Sequence, residues 1–327
     1  MKRQDLKGQV AIVTGASSGV GWQTARRLAE AGMKLCVTAR TVEALEWLAN
    51  EIRQRGGECL VVPGDVTVQE DVERVVAECV ARFGRVDMLV NNAGVQSYGA
   101  FDALPWEHIT RILDVNCLGF MRFARAVMPH FRRQGSGHVL NVQSMLSKGA
   151  APLLSAYTAS KHATLGWAKS LQLELSGTGI SVSNILVPSV DTNMFAHAPT
   201  LLSRAPQPVP PTYDVDVVAR SIVAAARRPG KTRVPVFLQG WLILAMDTLA
   251  PWAGDWVLGR FGVRMQQRET SVHRPEGNLF KPMAGTFGPR GPVPPTPGWL
   301  RYSATAGLAV LAGGVVLGMA GLSRAVR

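Results

Sequence analysis

Short apolar runs alternate with longer amphipathic stretches through roughly the first 237 residues of the chain. Residues 8–14 hold β-branched Val10, Ile12 and Val13 and predict a strand, and a helical spacing of apolar positions then runs from Gly19 through Ala31. The strand pattern recurs at 33–38, 59–62, 86–90, 137–142 and 180–187, and the helical one at 43–55, 68–83, 105–134, 155–176 and 214–228. An interruption is expected near Asn116, and a seventh strand at 232–237. Such alternation implies an α/β fold: a doubly wound parallel sheet of about seven strands flanked by helices, with ligand sites at the strand carboxyl ends.

The pattern changes after residue 237. Trp241, Leu242, Leu244, Leu249, Trp252, Trp256 and Leu258 are broken only by Asp247, Asp255 and small residues, and Pro251 would interrupt a helix there. This 238–264 segment suits either an interfacial membrane contact or a helix packed on a substrate pocket. Residues 265–300, dense in Pro and Gly from 273 onward, predict an extended linker. Residues 302–323 contain no charge across 22 positions. As a helix they would reach roughly 33 Å, enough to cross a hydrocarbon core, so 301–327 predicts a transmembrane helix with a short tail. Gly314 and Gly318 have the spacing that lets two such helices approach. Four regions follow: 1–237, 238–264, 265–300 and 301–327.

Composition sharpens this picture in one respect. Thirty-five Lys and Arg against 23 Asp and Glu leave +12, which suits a phosphate-bearing ligand or an anionic membrane. No basic run is interleaved with aromatics, so no nucleic-acid partner is expected. Cys36, Cys59, Cys79 and Cys117 lack the paired spacing of a metal site; no metal and a reducing compartment are expected. The polar start, Met-Lys-Arg-Gln-Asp, is unlike a signal peptide, which predicts a cytoplasmic catalytic region beside the membrane anchor.

Candidate chemistry sits at the expected strand ends. Between the first strand and helix runs Thr14-Gly-Ala-Ser-Ser-Gly-Val-Gly21, where Gly15, Gly19 and Gly21 allow a sharp turn and close approach to a ligand. Amides at the following helix start would face a pyrophosphate. The same loop reads as Gly-x-Ser-x-Gly, the elbow of a serine hydrolase, but only seven residues precede the first strand, too few for the earlier strands that fold requires. Arg40 ends the second strand and suits a ribose 2′-phosphate, or caps the loop. Asp65 would accept from an adenine amino group, or start the next helix together with Thr67. Asn91-Asn-Ala-Gly94 closes the fourth strand with small residues. Tyr157 and Lys161 lie one helical turn apart on one face, where an ammonium favours the phenolate.

These motifs, with Asn116 and Ser144, stand in the order and spacing of the short-chain dehydrogenase/reductase family, which the chain resembles from about residue 7 to residue 237. The resemblance implies a Rossmann-type fold and an NADP(H)-dependent oxidoreductase. Tyr157 would exchange a proton with the carbonyl or alcohol oxygen. Lys161 would lower its pKa and bind the nicotinamide ribose, Ser144 would hold the substrate oxygen, and Asn116 would anchor a water. Cofactor contacts would come from Gly15, Ser17, Ser18, Gly19, Val20, Arg40, Asp65, Val66, Asn92, Ala93, Gly94, Tyr157, Lys161, Pro188, Val190 and Thr192. Gln143 and Ser189 depart from the family, which commonly has Ser and Gly there. Residues 194–211, with Phe195, Leu201 and Leu202, predict either a lid over a lipophilic substrate or a surface loop. A homodimer or homotetramer is implied, acting on a lipophilic ketone, aldehyde or alcohol, as is an alternative in which a catalytically silent protein binds cofactor and serves as a scaffold.

Overall fold

The computed structural model describes residues 4–229, 251–272, 274–283, 285 and 287–292. Six parallel strands form its sheet, in the order β3-β2-β1-β4-β5-β6. They are β1 (Val10–Thr14), β2 (Lys34–Thr38), β3 (Cys59–Val61), β4 (Met88–Asn91), β5 (Gly137–Ser144) and β6 (Ile180–Val187). The seventh strand expected at 232–237 lies outside the described residues, so the described sheet has six strands instead of about seven.

All five residues of β1 are buried, because helices cover both faces of the sheet. Ala11 and Val13 join a core with α1 (Gly19–Glu30), α2 (Val42–Gln54) and α8 (Val215–Ala226), through Trp22, Leu28, Leu48 and Ile222. Val10 and Ile12 point the other way, onto α3 (Gln69–Phe83), α5 (Gly119–Gln134) and α6 (Ser155–Glu174), through Val72, Phe123 and Ala168. One residue of offset thus separates the two cores, as the period of a strand requires. The four cysteines are buried without disulfides.

The helix expected over 105–134 is interrupted where anticipated: α4 (Trp106–Leu113) passes into α5 through a π-turn, Asp114–Leu118, that turns Asn116 inward. Chain order reverses between β1 and β4, and the connections leaving their carboxyl ends run to opposite sides of the sheet, which opens a crevice.

The 194–211 region is neither a bare loop nor a simple lid. Short helix α7 (Asn193–His197) leads into β7 (Arg204–Pro206), which pairs antiparallel with β8 (Gln267–Ser271). Before β8 comes α9 (Pro251–Met265), with Pro251 as its first residue, a position where the missing N–H costs nothing. Gly262 of α9 sits against Pro152, while Trp252 and Trp256 are 67% and 66% exposed. Among the described residues no helix is long and apolar enough to cross a membrane; residues 302–323 lie outside them.

Candidate active site

At the crevice the β1 and β4 ends are tied together. The Thr14 hydroxyl accepts from the Asn92 and Ala93 amides at 3.0 and 3.1 Å, and the Asn92 side chain donates to the Thr14 and Gly15 carbonyls at 3.0 and 3.2 Å. Close approach dictates the glycines. A Cβ on Gly15 would lie 2.7 Å from the Ala93 Cα, and one on Gly21 would run into the Gly15 carbonyl and the Asn92 amide. The floor is therefore bare backbone, as a dinucleotide requires.

Above it lies a cavity of about 590 Å³. All sixteen residues expected to contact cofactor line it, from Gly15 and Arg40 through Gly94 to Thr192. Of the four expected to carry the chemistry, Ser144, Tyr157 and Lys161 line it and Asn116 does not. The Asn116 side chain is engaged next door, accepting from the Val95 amide at 2.8 Å and donating to the Val95 carbonyl and Ser160 hydroxyl at 2.9 and 3.0 Å. Its position braces the strand-end loop against α6.

Tyr157 occupies the first turn of α6 and Lys161 the next, 7% and 3% exposed. Burial pushes the Tyr157 phenol up to about 12, with a hydrogen bond to Ser144 pulling it down. Burial takes the Lys161 ammonium down to about 8. The ammonium donates to the Val142 carbonyl at 3.4 Å and lies 5.2 and 5.6 Å from the ring centres of Phe120 and Tyr157. Ser144 ends β5 and caps the short turn Met145–Ser147, its hydroxyl accepting from the Leu146 amide at 3.1 Å. Ser147 instead donates to Gln143 at 3.2 Å and lies outside the cavity lining, as does Ser155. Position thus singles out Ser144 from the nearby serines.

At the adenosine end the residues are more heavily engaged than the sequence suggests. Asp65 accepts from the Thr67 amide and hydroxyl at 2.9 and 2.8 Å, the local turn considered as its alternative role, and from Arg111 at 2.6 Å. Burial raises its pKa, but the Thr67 and Arg111 bonds outweigh that and hold the carboxyl below its ordinary value. Arg40 donates to the carbonyls of Asn278, Leu279 and Phe280 at 2.5–3.2 Å. The Gly19 amide, expected to face a phosphate, donates to the Gly288 carbonyl at 3.0 Å. The described part of the proline- and glycine-rich stretch expected as a linker, residues 274–283 and 287–292, therefore packs across the crevice, because arginine donors supply partners for its otherwise unpaired carbonyls. Arg111, Asn278 and Phe287 all line the cavity, and no motif in the sequence marks them.

Two buried atoms on the lining residues, Gln143 Nε2 and Asn278 Oδ1, find no partner among the described residues. They leave a donor and an acceptor for a polar ligand. Toward the other end, Leu146, Leu154, Met194, Phe195, Val209 and Leu258 make the lining apolar.

Comparison with known proteins points to the same fold. The uncharacterized oxidoreductase YxnA of Bacillus subtilis is 32% identical, the match covering 100% of this chain and 93% of that protein. A fatty acyl-CoA reductase of Acinetobacter baylyi is 32% identical over 69% of this chain and 77% of its own length. The solved structure of an alcohol dehydrogenase from the archaeon Thermococcus sibiricus, complexed with 5-hydroxy-NADP, superposes with a TM-score of 0.62 at 28% identity, covering 70% of this chain and 97% of that one. Residues 9–200 match the short chain dehydrogenase family, and the chain belongs to it.

Proposed function

We propose that this oxidoreductase uses NADP(H) to interconvert a lipophilic ketone or aldehyde and its alcohol, with Tyr157 as proton donor and acceptor. The observation that carries the reading is the meeting of Ser144, Tyr157 and Lys161 on the wall of the cavity floored by the glycine loop. When bound, the nicotinamide supplies or accepts hydride. The chain's own task is to position the reacting carbon and manage one proton.

With its phenol near 12, Tyr157 is protonated at neutral pH and ready to donate to the oxygen that gains charge during reduction. Ser144, hydrogen-bonded to the same phenol, holds that oxygen in line. Lys161, at about 8, is mostly protonated at pH 7 and stabilises negative charge on the phenolate left behind. In the opposite direction the phenolate takes the alcohol proton, which favours alkaline pH.

Arg40 at the end of β2 supports a 2′-phosphate and so NADP(H), and the 5-hydroxy-NADP complex of the archaeal neighbour supports the same cofactor. The apolar far end of the cavity and the Acinetobacter relative's activity on fatty acyl-CoA support a lipophilic substrate. Exposed Trp252, Trp256 and Phe261 on α9, whose Leu258 lines the cavity, support membrane contact beside the substrate end. Together with residues 302–323 they make a membrane-anchored enzyme with a cytoplasmic catalytic region the consistent reading. Exposed Leu118 and Leu173 beside the long helices suit a homodimer or homotetramer.

The test is NADPH consumption by the detergent-solubilised protein across steroid, retinoid and fatty ketones or aldehydes, with Tyr157→Phe as control. Turnover of one class, lost in the variant, supports the reading. NADPH binding without turnover of any class would favour the silent scaffold instead.

A further inference from the structure

The described residues 274–283 and 287–291 cross the carboxyl ends of the sheet and are fastened at four separate places. Near its start the Thr200 amide donates to the Arg274 carbonyl at 2.7 Å, and the Arg274 guanidinium donates to the Ala198 carbonyl at 3.0 Å. Next, the Asn278 amide donates to the His197 carbonyl at 2.9 Å, and Leu279 is fully buried among Val66, Ile112 and their neighbours. Arg40 and Arg111 then grip from the crevice side. Arg40 takes three successive carbonyls, and Arg111 donates to the Leu279 carbonyl at 3.2 Å while holding Asp65. Beyond these, the Gly288 carbonyl accepts from Gly19, and Arg290 pairs with Asp214 at 3.2 Å. Gly291 lies so close to Thr192 that a Cβ there would sit 2.5 Å from its carbonyl oxygen.

A surface linker has no reason to be held this way. Carbonyls that would otherwise face water are matched to two guanidinium groups, and the buried anchor Leu279 lies between them. The cavity persists beneath: Asn278, Pro282, Met283 and Phe287 line it from the strap side and the glycine loop from the floor. The strap is a roof and leaves the cavity its volume.

We propose that residues 274–283 and 287–291 form a strap that completes the dinucleotide site and retains the cofactor, resting on the NADP(H) reading above. Arg40 links the two halves of this arrangement. It lines the cavity while its Nη groups hold the strap, so one side chain borders the cofactor site and sets the roof together. The Gly19 amide serves the strap, which leaves the pyrophosphate to Val20, the next residue of that helix start, and the cofactor leaves when the roof lifts from Arg40, Arg111 and Gly19. Release is therefore governed by strap opening, separately from the proton chemistry at Tyr157.

The test is stopped-flow displacement of NADPH from the full-length protein, followed by the fluorescence of bound NADPH, in Leu279→Ala and Gly288→Val. Leu279→Ala removes the buried anchor. Gly288 has φ +107° with open space around its Cβ position, so Gly288→Val strains the backbone at the Gly19 contact without a clash. Each variant should speed NADPH release by about tenfold, since Leu279→Ala empties a buried apolar site and Gly288→Val loses roughly one backbone hydrogen bond. Single-turnover hydride transfer from the saturated complex should stay unchanged, which a merely misfolded variant would not show. Hydrogen exchange at 276–291 should slow when NADPH binds the unaltered chain. Release at the parent rate in a folded Gly288→Val protein, or exchange that NADPH leaves unchanged or speeds, overturns the strap alone. Failure of the unaltered chain to bind NADPH overturns the cofactor reading beneath it.

Discussion

Replacing Lys161 by methionine should make the protein more stable at pH 7 while removing turnover. The ammonium is 3% exposed and has the Val142 carbonyl at 3.4 Å as a long hydrogen-bond partner, which compensates poorly for lost water. Burial lowers its pKa from 10.5 to about 8, with the Cys117 thiol pulling weakly the other way. At 1.36 kcal/mol per tenfold, that fall is worth on the order of 3 kcal/mol of destabilisation below pH 8. The flanking rings of Phe120 and Tyr157 return about 1 kcal/mol of it, leaving a net gain of about 2 kcal/mol for an apolar side chain of similar length. The sign fixes the window. Between about 8 and 10.5 the unfolded chain keeps a proton that the folded protein has shed, so the parent gains stability as pH rises there. Unfolding of parent and variant at pH 7 and pH 9.5 checks this. The variant should melt about 4 °C higher at pH 7, with the gap closing toward pH 9.5. With its phenol near 12, Tyr157 stays protonated in the folded protein at both pH values. A variant less stable than the parent at pH 7, or a gap that ignores pH, would show that Lys161 is not a desolvated charge.

Tyr157→Phe should lower kcat by about 10²–10⁴ with NADPH affinity intact, measured by turnover and fluorescence titration, and full activity would refute the proton role. Arg40→Asp should move cofactor preference toward NADH, read as the ratio of kcat/KM values, and should speed release of both cofactors because the strap loses three bonds. Gly21→Ala should abolish cofactor binding and cost about 1–3 kcal/mol in denaturant unfolding, since its Cβ meets the Gly15 carbonyl and Asn92. Removing residues 302–327 should release the protein from sedimented membranes, unless α9 also holds it.

What was legible in the sequence is what local chemistry specifies. β1 was visible because every residue must be apolar when helices cover both faces, and the break at Asn116 because an inward-turned amide does not suit a regular helix. The glycine loop was legible for the same reason: bare backbone against Asn92 and Ala93 admits no side chain at Gly15 or Gly21. Tyr157 and Lys161 were legible as a pair through their one-turn spacing taken together with Ser144, Asn116 and the glycine loop upstream. Their energetics were not. Helical spacing suggested an ammonium that eases phenol ionisation, whereas burial of both groups pushes Tyr157 up to about 12 and Lys161 down to about 8.

Partners more than a hundred residues apart left no local trace. Arg40 looked like a phosphate ligand because its neighbours in sequence end a strand, yet its bonds run to carbonyls some 240 positions away. Backbone carbonyls have no side-chain signature, so composition marked residues 265–300 only as an extended linker. Within that span Gln267–Ser271 forms β8, and the described residues from 274 onward pack on the crevice. An irregular chain still needs partners for its polar groups, and arginines at a crevice supply them as well as water does while adding an anchor. Whether Arg40 selects the phosphate, holds the strap or does both is therefore one question. The Arg40→Asp and Gly288→Val pair separates the answers, since only the first touches the phosphate and both loosen the roof.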